Sequence, residues 1–437
     1  MHIGIGAFHR AHMAVYTDDA MAVGETRWAI AGVSLRSREV RDAMAPQDCL
    51  YTVTTRSAQG ETVRLIGAVV EVIAAPDTPN RVIDLLAAPG THVATLTVSE
   101  KGYVRAAGGG LDFADVDIAH DLRLQASPRT LYGYLAHGLR RRRAAGLPGL
   151  TILSCDNLTQ NGAQLAAALG AFLERCDADL GRWVEAECAF PCSMVDRIVP
   201  ATTPTDIDRI GDLLGVRDQA AVVTEPFRQL VIENKFSGPR PLWEAGGAVF
   251  VDDVAGYESA KLRTLNGAHS ALAYLGLARG YAYVHEAIAD PDLAALATDL
   301  MSDAAASLMG KGPEPREYAK LLIARFRNRA LAHRLSQIAM DGSQKTPQRW
   351  LEVLRANARS GRACAAHLKA LAAWIDYVKG DDHPVDDPLA AQLRGLWAVH
   401  GRAGVVGALI GQGGLFARTW EVPDQTISEV SALLVGP

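Results

Sequence analysis

With 437 residues, 49% of them hydrophobic and 21% charged, the chain is globular and long enough for two domains with separate cores. A formal net charge of −5 gives no electrostatic reason to expect nucleic acid or an anionic membrane surface as a partner. No apolar run reaches the length of a membrane span, and no basic segment followed by an apolar one opens the chain, so a cytoplasmic protein is expected. Six cysteines are scattered along the sequence, which suits reduced thiols. Cys188 and Cys192 are the only close pair, and without further Cys or His at ligand spacing they read as small buried hydrophobes rather than a zinc site.

The first segment, HIGIGAFHRAHMAVYTDDAMAVG, reads as a short strand, a glycine turn and one amphipathic helix closing at Gly24. Gly4 and Gly6 supply two of the three glycines of a dinucleotide fingerprint, and WAIAGVSL from Trp28 supplies the next buried strand. Backbone N–H groups at such a turn hold a pyrophosphate at the helix N-terminus. Of the residues that follow, His9 and His12 lack a third metal ligand nearby, and a phosphate-proximal Arg10 fits the position better. The second strand ends in Ser34, Arg36 and Arg38 without an immediate acid, so the cofactor class is clearer than the choice between NAD and NADP.

Strand character continues through LYTVTT and VRLIGAVVEVIAA, followed by a helix from Pro79 to Ala88 and the strand HVATLTVSEKGY, with Ser99, Glu100 and Lys101 at its carboxyl end. Ser127 and Pro128 read as the N-cap and first position of a helix that runs to Leu139, closed by the cations Arg140 to Arg143. GLTILSCDN is a buried strand delivering Asp156 and Asn157. SMVDRIVP ends another near Asp196, before a helix with Pro204 in its first turn. Residues 222–251 alternate in a strand-like way, and from Glu258 onward helical periodicity takes over. The expected architecture is α/β: a Rossmann-like dinucleotide-binding domain over 1–252 and a mostly helical catalytic domain over 253–437. The glycines from Gly404 to Gly414 follow no strand and include no Gly-Lys-Ser/Thr, so loop and helix-end roles are expected of them.

At the start of the helical part, Lys261, Asn266 and His269 place an amine, a carboxamide and an imidazole in nine residues of an otherwise apolar segment. At about 100° per residue on an α-helix, Asn266 stands roughly 140° and His269 roughly 80° around from Lys261, so the three share one broad face. Desolvation disfavours a charged lysine, which makes Lys261 a candidate general base; Asn266 can donate to a developing alkoxide, and His269 can donate or accept as its tautomer requires. The same spacing also suits a surface helix with a snorkelling lysine. Further on, Lys345 and Arg349 are four apart and on a helix can share a face that receives a carboxylate.

K-x4-N-x2-H resembles the signature of the mannitol dehydrogenase family of polyol-specific long-chain dehydrogenases and reductases. GIGAFHRAH, TVSEKGY, SCDNLTQNG, SMVDRIVP, EPFRQLVIE and IAMDGSQK are similar to that family in the same order, over nearly the whole chain. Members usually carry a further N-terminal stretch before the glycines, and some polyol enzymes have Arg where Gln337 stands. The resemblance implies metal-independent hydride transfer between NAD and a secondary alcohol of a linear polyol or sugar acid, of the mannitol/fructose or mannonate/fructuronate type. It implies Lys261 as base, Asn157 and Asn266 as alkoxide donors, and His269 at the reacting hydroxyl. Asp196, Lys345 and Arg349 are then expected at the substrate, and Gly4, Gly6, Phe8, Arg10, Glu100 and Lys101 at the cofactor. A β-hydroxyacid or phosphosugar dehydrogenase and a non-catalytic nicotinamide-binding sensor are the alternatives.

Overall fold

A computed structural model describes residues 1–106, 109–124, 126–308, 314–417 and 422–434, and it divides into two compact units, Met1–Val254 and Ala255–Pro437. The first unit is built on a parallel sheet of β1 (His2–Ile3), β2 (Ile30–Ser34), β5 (Val69–Ala74), β6 (Val93–Leu96) and β7 (Thr151–Ser154), in the order β5-β2-β1-β6-β7. Helices cover it because all four residues of β6 and of β7 are buried, which leaves neither face of those strands free for water. Strand order reverses at β1 and β6, and a doubly wound sheet binds its ligands at such a switch point, outside the carboxyl ends.

Two small sheets complete the unit. β3 (Tyr51–Ser57) lies between antiparallel β4 (Gly60–Ile66) and parallel β9 (Val222–Thr224), and β10 (Gln229–Glu233) lies between antiparallel β8 (Ser193–Asp196) and parallel β11 (Val249–Val251). The single strand-like run VRLIGAVVEVIAA is therefore split between two sheets, with Gly67 and Ala68 as the joint.

Several boundaries differ from the sequence reading. The first helix is two, Ala7–Ala11 and Met13–Ala22, because His12 breaks the path with φ −123° and ψ −88°. The helix expected from Ser127 begins instead at Leu131: the Thr130 hydroxyl accepts from the Gly133 N–H, and Asp121 takes the N–H groups of Arg129 and Thr130. Thr203 does follow the cap chemistry, with a reciprocal Asp206 capping box and Pro204 in the first turn.

The described residues of the second unit are helical. Its core is one cluster in which Leu272, Leu300, Leu322, Trp350, Leu371 and Trp374 have no exposed surface. Truncating any of these leucines to alanine is the kind of change that costs about 2–5 kcal/mol. The stretch from Tyr257 to Gly276 is not a uniform α-helix. An α-helix over Ala255–Ala260 widens into a π-helix over Lys261–Asn266, and α geometry resumes over Gly267–Ala278. A second π-helix, Pro347–Leu351, lies between the helices Gly342–Thr346 and Glu352–Ala358. Among the described residues no helix is long and apolar enough to cross a membrane.

Candidate active site

The glycine turn sits at the carboxyl end of β1. Gly4 has φ +96°, and a Cβ there would lie 2.0 Å from the Thr97 carbonyl oxygen, so only glycine lets the turn close on the end of β6. Gly6 is exposed, and a Cβ would meet nothing nearer than the Gly4 oxygen at 4.0 Å. That bare backbone suits close approach of a pyrophosphate, beside a helix whose first-turn N–H groups lack intrahelical partners. Phe8 is half-buried and stacks on His12 with ring centroids 5.0 Å apart.

Arg10 has a different task from the phosphate contact expected of it. The residue is 9% exposed; its guanidinium donates to the Ala220 carbonyl at 3.0 Å, while its own carbonyl accepts from the Tyr51 hydroxyl at 2.7 Å. Arg10 thus ties the helix to the small sheet. His9 also turns inward, stacking on His2 at 3.3 Å with neither ring nitrogen hydrogen-bonded, and burial holds its pKa well below the usual range. His12 Nε2 meets the Gln229 carbonyl at 2.9 Å, so the two imidazoles serve the interior.

At the ends of β6 and β7 the sequence-expected groups stand close in the fold. Ser99 opens a short helix, Ser99–Gly102, that carries Glu100 and the exposed Lys101. Asn157 is exposed just past β7, and Asp196, 4% exposed, ends β8. Asp156 and Asn161 knit these ends together. The Asp156 carboxylate accepts from the Val98 and Ser99 N–H groups, and the Asn161 amide donates to the carbonyls of Asp156 and Ser193.

In the second unit the π turn changes the geometry of the motif. Its hydrogen bonds run i→i+5, as from the Gly267 N–H to the Leu262 carbonyl, so each turn holds more residues and Asn266 is rotated back toward Lys261 relative to an α-helix. The α-helical estimate had already put them on one broad face. Lys261 is 7% exposed and His269 8%. His269 stacks on Phe326 and meets His333 edge-on, both at 4.9 Å, and its buried Nε2 has no hydrogen-bond partner. Burial, then the charges of His333, Arg349, Arg325 and Lys345, hold its pKa well below the usual range, so the ring is neutral. These groups are recruited from well-separated stretches of chain, and sequence reading found the cations Lys345 and Arg349 but missed the cation Arg325 and the imidazole of His333. It also missed Glu258, buried one helical turn before Lys261, a spacing at which side chains are neighbours.

Lys345 and Arg349 are anchored more firmly than a surface pair. The Lys345 amine donates to the Ile338 carbonyl at 3.3 Å and to that of Met340. The Arg349 guanidinium donates to the Asn266 carbonyl at 3.2 Å and to the Ser270 hydroxyl at 2.6 Å. Next to it, the Trp350 indole donates to the Gly267 carbonyl at 3.1 Å. One π turn thus grips the end of the other.

Two other features have no part in this chemistry. Asp303, Cys364 and His367 have ligand-type atoms within 4.8 Å of one another, but His367 Nδ1 is already 3.2 Å from the Asp303 carboxylate, a contact that a hydrogen bond accounts for. A cavity of about 300 Å³ is lined by Met1, Ile30, Val70 and Val93, among others, at the amino ends of the parallel strands. It lies at the opposite end of the sheet from the glycine turn, where no dinucleotide binds a doubly wound fold.

The fold and these residues define an oxidoreductase with a Rossmann cofactor domain and a helical domain carrying a lysine, asparagine and histidine set. The family follows from comparison. Residues 1–245 match the mannitol dehydrogenase Rossmann domain and residues 253–433 the mannitol dehydrogenase C-terminal domain, and the chain belongs to the mannitol dehydrogenase family. It is 40% identical to the D-mannonate oxidoreductase of Escherichia coli over 95% of this chain and 88% of that protein. It is 37% identical to a mannitol 2-dehydrogenase of Pyrenophora tritici-repentis over 90% of this chain and 72% of that one. Among solved structures, the Pseudomonas fluorescens mannitol 2-dehydrogenase in ternary complex with NAD and D-mannitol superposes with a TM-score of 0.89 at 37% identity, covering 99% of this chain and 90% of that one. Membership sets aside the non-catalytic sensor, because the chain is a dehydrogenase of this family.

Proposed function

We propose that this enzyme interconverts a secondary alcohol and a ketone on a linear C5 or C6 polyol or sugar acid with NAD, and that Lys261 is its general base. The observation that carries the reading is the π turn, which holds a buried Lys261 together with Asn266, with the unpartnered Nε2 of His269 one helical turn beyond Asn266. NAD and D-mannitol in the Pseudomonas enzyme, and the names of the Escherichia coli and Pyrenophora relatives, support the cofactor and the substrate class.

Gly4 and Gly6 would hold the pyrophosphate, with Phe8, Glu100 and Lys101 around the nucleotide. Bound NAD supplies the hydride acceptor. Lys261 takes the hydroxyl proton as the alcohol is oxidised. The carboxamides of Asn157 and Asn266 donate to the oxygen as negative charge grows there, and neutral His269 orients the hydroxyl through Nε2. An amine base and carboxamide donors require no metal. Asp196 is assigned to the substrate hydroxyls. Arg38 is engaged by Asp77 at 2.8 and 2.9 Å, which supports NAD over NADP.

Of the two substrate chemistries, the sugar acid is supported by the cations that act electrostatically on His269, namely Arg349, Arg325 and Lys345. The test is a panel of polyols and sugar acids assayed for NADH formation and, with the ketones, NADH oxidation. Turnover of a mannitol/fructose or mannonate/fructuronate pair is the expected result. No turnover across the panel rejects the reading.

A further inference from the structure

We infer that Asp156 is a positioning residue for the reaction: its carboxylate locks the turn after β6 to the end of β7, and so fixes where Asn157 stands relative to Glu100 and Lys101. One carboxylate oxygen accepts from the Ser99 N–H at 2.9 Å; the other accepts from the Val98 N–H at 3.2 Å and the Tyr103 hydroxyl at 2.9 Å. The Tyr103 oxygen is in turn 2.5 Å from the Ser154 hydroxyl on β7. Asp156 is only 9% exposed, and a carboxylate so placed persists when its oxygens are filled by donors, as here.

The turn it holds is not relaxed. Ser99 has φ +62°, a left-handed state that a serine adopts when its surroundings impose it, and the Ser99 N–H is itself one of the three donors. Asp156 is fixed from its other side as well. Its carbonyl accepts from the Asn161 amide at 3.0 Å and from the Leu158 N–H at 2.9 Å, and Asn161 also reaches the Ser193 carbonyl on β8 at 2.9 Å. The residue beside Asn157 is thus the junction of three strand ends. The residue acts through its neighbours, and the inference rests on the proposed role of Asn157 at the alkoxide.

The experiment uses the full-length chain and the best substrate of the panel. Asp156→Asn keeps the shape but turns one terminal oxygen into a donor that faces N–H or O–H groups, and Tyr103→Phe removes one donor. For each, kcat, KM, NADH affinity, melting temperature and the primary deuterium isotope effect on kcat are measured. Asp156→Asn is expected to lower kcat by about 10- to 100-fold with KM and NADH affinity changed by less than about threefold, since misplacement near 1 Å has that effect on rate. The isotope effect should rise as hydride transfer becomes limiting, and Tyr103→Phe should move the same way by less. A lower melting temperature with unchanged kcat and isotope effect overturns the inference. If Asp156→Asn does not fold, Tyr103→Phe decides by the same two readouts. Asn157→Ala separates the two readings: unchanged turnover there overturns the role of Asn157 and this inference with it, whereas loss there with no loss in Asp156→Asn overturns this inference alone.

Discussion

The guanidinium of Arg349 donates to the backbone carbonyl of Asn266 at 3.2 Å, so a side chain on one π turn holds the residue that closes the other. Neither π turn is the relaxed state of a helix, and such turns occur frequently at functional sites. Here the departure has a definite result, since it rotates Asn266 back toward Lys261 relative to an α-helix.

Lys261→Ala is expected to lower turnover by about 100-fold or more, the usual contribution of a positioned base, while NADH binding stays close to wild type. Turnover and NADH fluorescence titration check it, and near wild-type activity removes the assignment.

Asn157→Ala and Asn266→Ala should each lower kcat by more than they raise KM, because donors aimed at developing charge act on the transition state. If only KM moves, the two carboxamides are substrate anchors.

His2 has no exposed surface, and its ring nitrogens face the hydroxyls of Thr95 and Thr97 at 2.7 and 2.9 Å. Burial, the largest influence, pushes its pKa from 6.5 down to about 3. Between those values the unfolded chain binds a proton that the folded one refuses, so stability rises with pH across that window. The contribution is complete above 6.5 and lost as pH falls toward 3, by up to about 1.4 kcal/mol per pH unit. His2→Gln should flatten the slope in urea unfolding measured from pH 6.5 downward by as much as one proton; an unchanged slope means that other groups set the acid limit.

What was legible in the sequence is what local pattern encodes. The buried runs of β2, β6 and β7, the glycine turn and the helix start at Pro204 all announce themselves within a few residues. What was not legible depends on partners far along the chain. Arg10 follows the glycine turn and reads as a phosphate ligand, yet its acceptor is the carbonyl of Ala220, 210 positions away. The π turn escapes a reading based on 100° per residue, because tertiary contacts 83 positions on, from Arg349 and Trp350, grip the carbonyls of Asn266 and Gly267. The helix expected at Ser127 failed for a subtler reason: Ser-Pro and Thr130 offer equivalent cap chemistry, and Asp121 selects between them.

Cofactor choice turns on Asp77. Its carboxylate engages both Arg38 and Arg41, the latter at 2.5 Å, in a partly exposed cluster. Asp77→Ala releases both arginines, one of them just past β2 where a 2′-phosphate is recognised. The ratio of kcat/KM for NADP to that for NAD is expected to rise, by roughly tenfold at most given the exposure of the pair. Side-by-side measurement settles it, and an unchanged ratio means that Arg38 does not face the adenosine ribose.

The substrate is the sharpest question, and Lys345 and Arg349 are where it can be asked. Both act electrostatically on His269, together with Arg325, so a carboxylate entering beside His269 can pair with a cation, whereas a neutral hexitol gains only hydrogen bonds. Arg349 has a second task, holding Asn266 and Ser270, so its removal disturbs the motif whatever the substrate. Lys345 donates to the Ile338 and Met340 carbonyls, which lie outside the motif. Lys345→Ala should therefore depress fructuronate reduction selectively, by about 10-fold or more for a lost charge-assisted contact, and leave fructose reduction less affected. Arg349→Ala should depress both, with the larger loss on fructuronate. The measurement is kcat/KM for NADH oxidation with each ketone in wild type and both variants. If Lys345→Ala treats the two ketones alike, the cations serve the protein rather than a carboxylate, and the polyol becomes the preferred substrate.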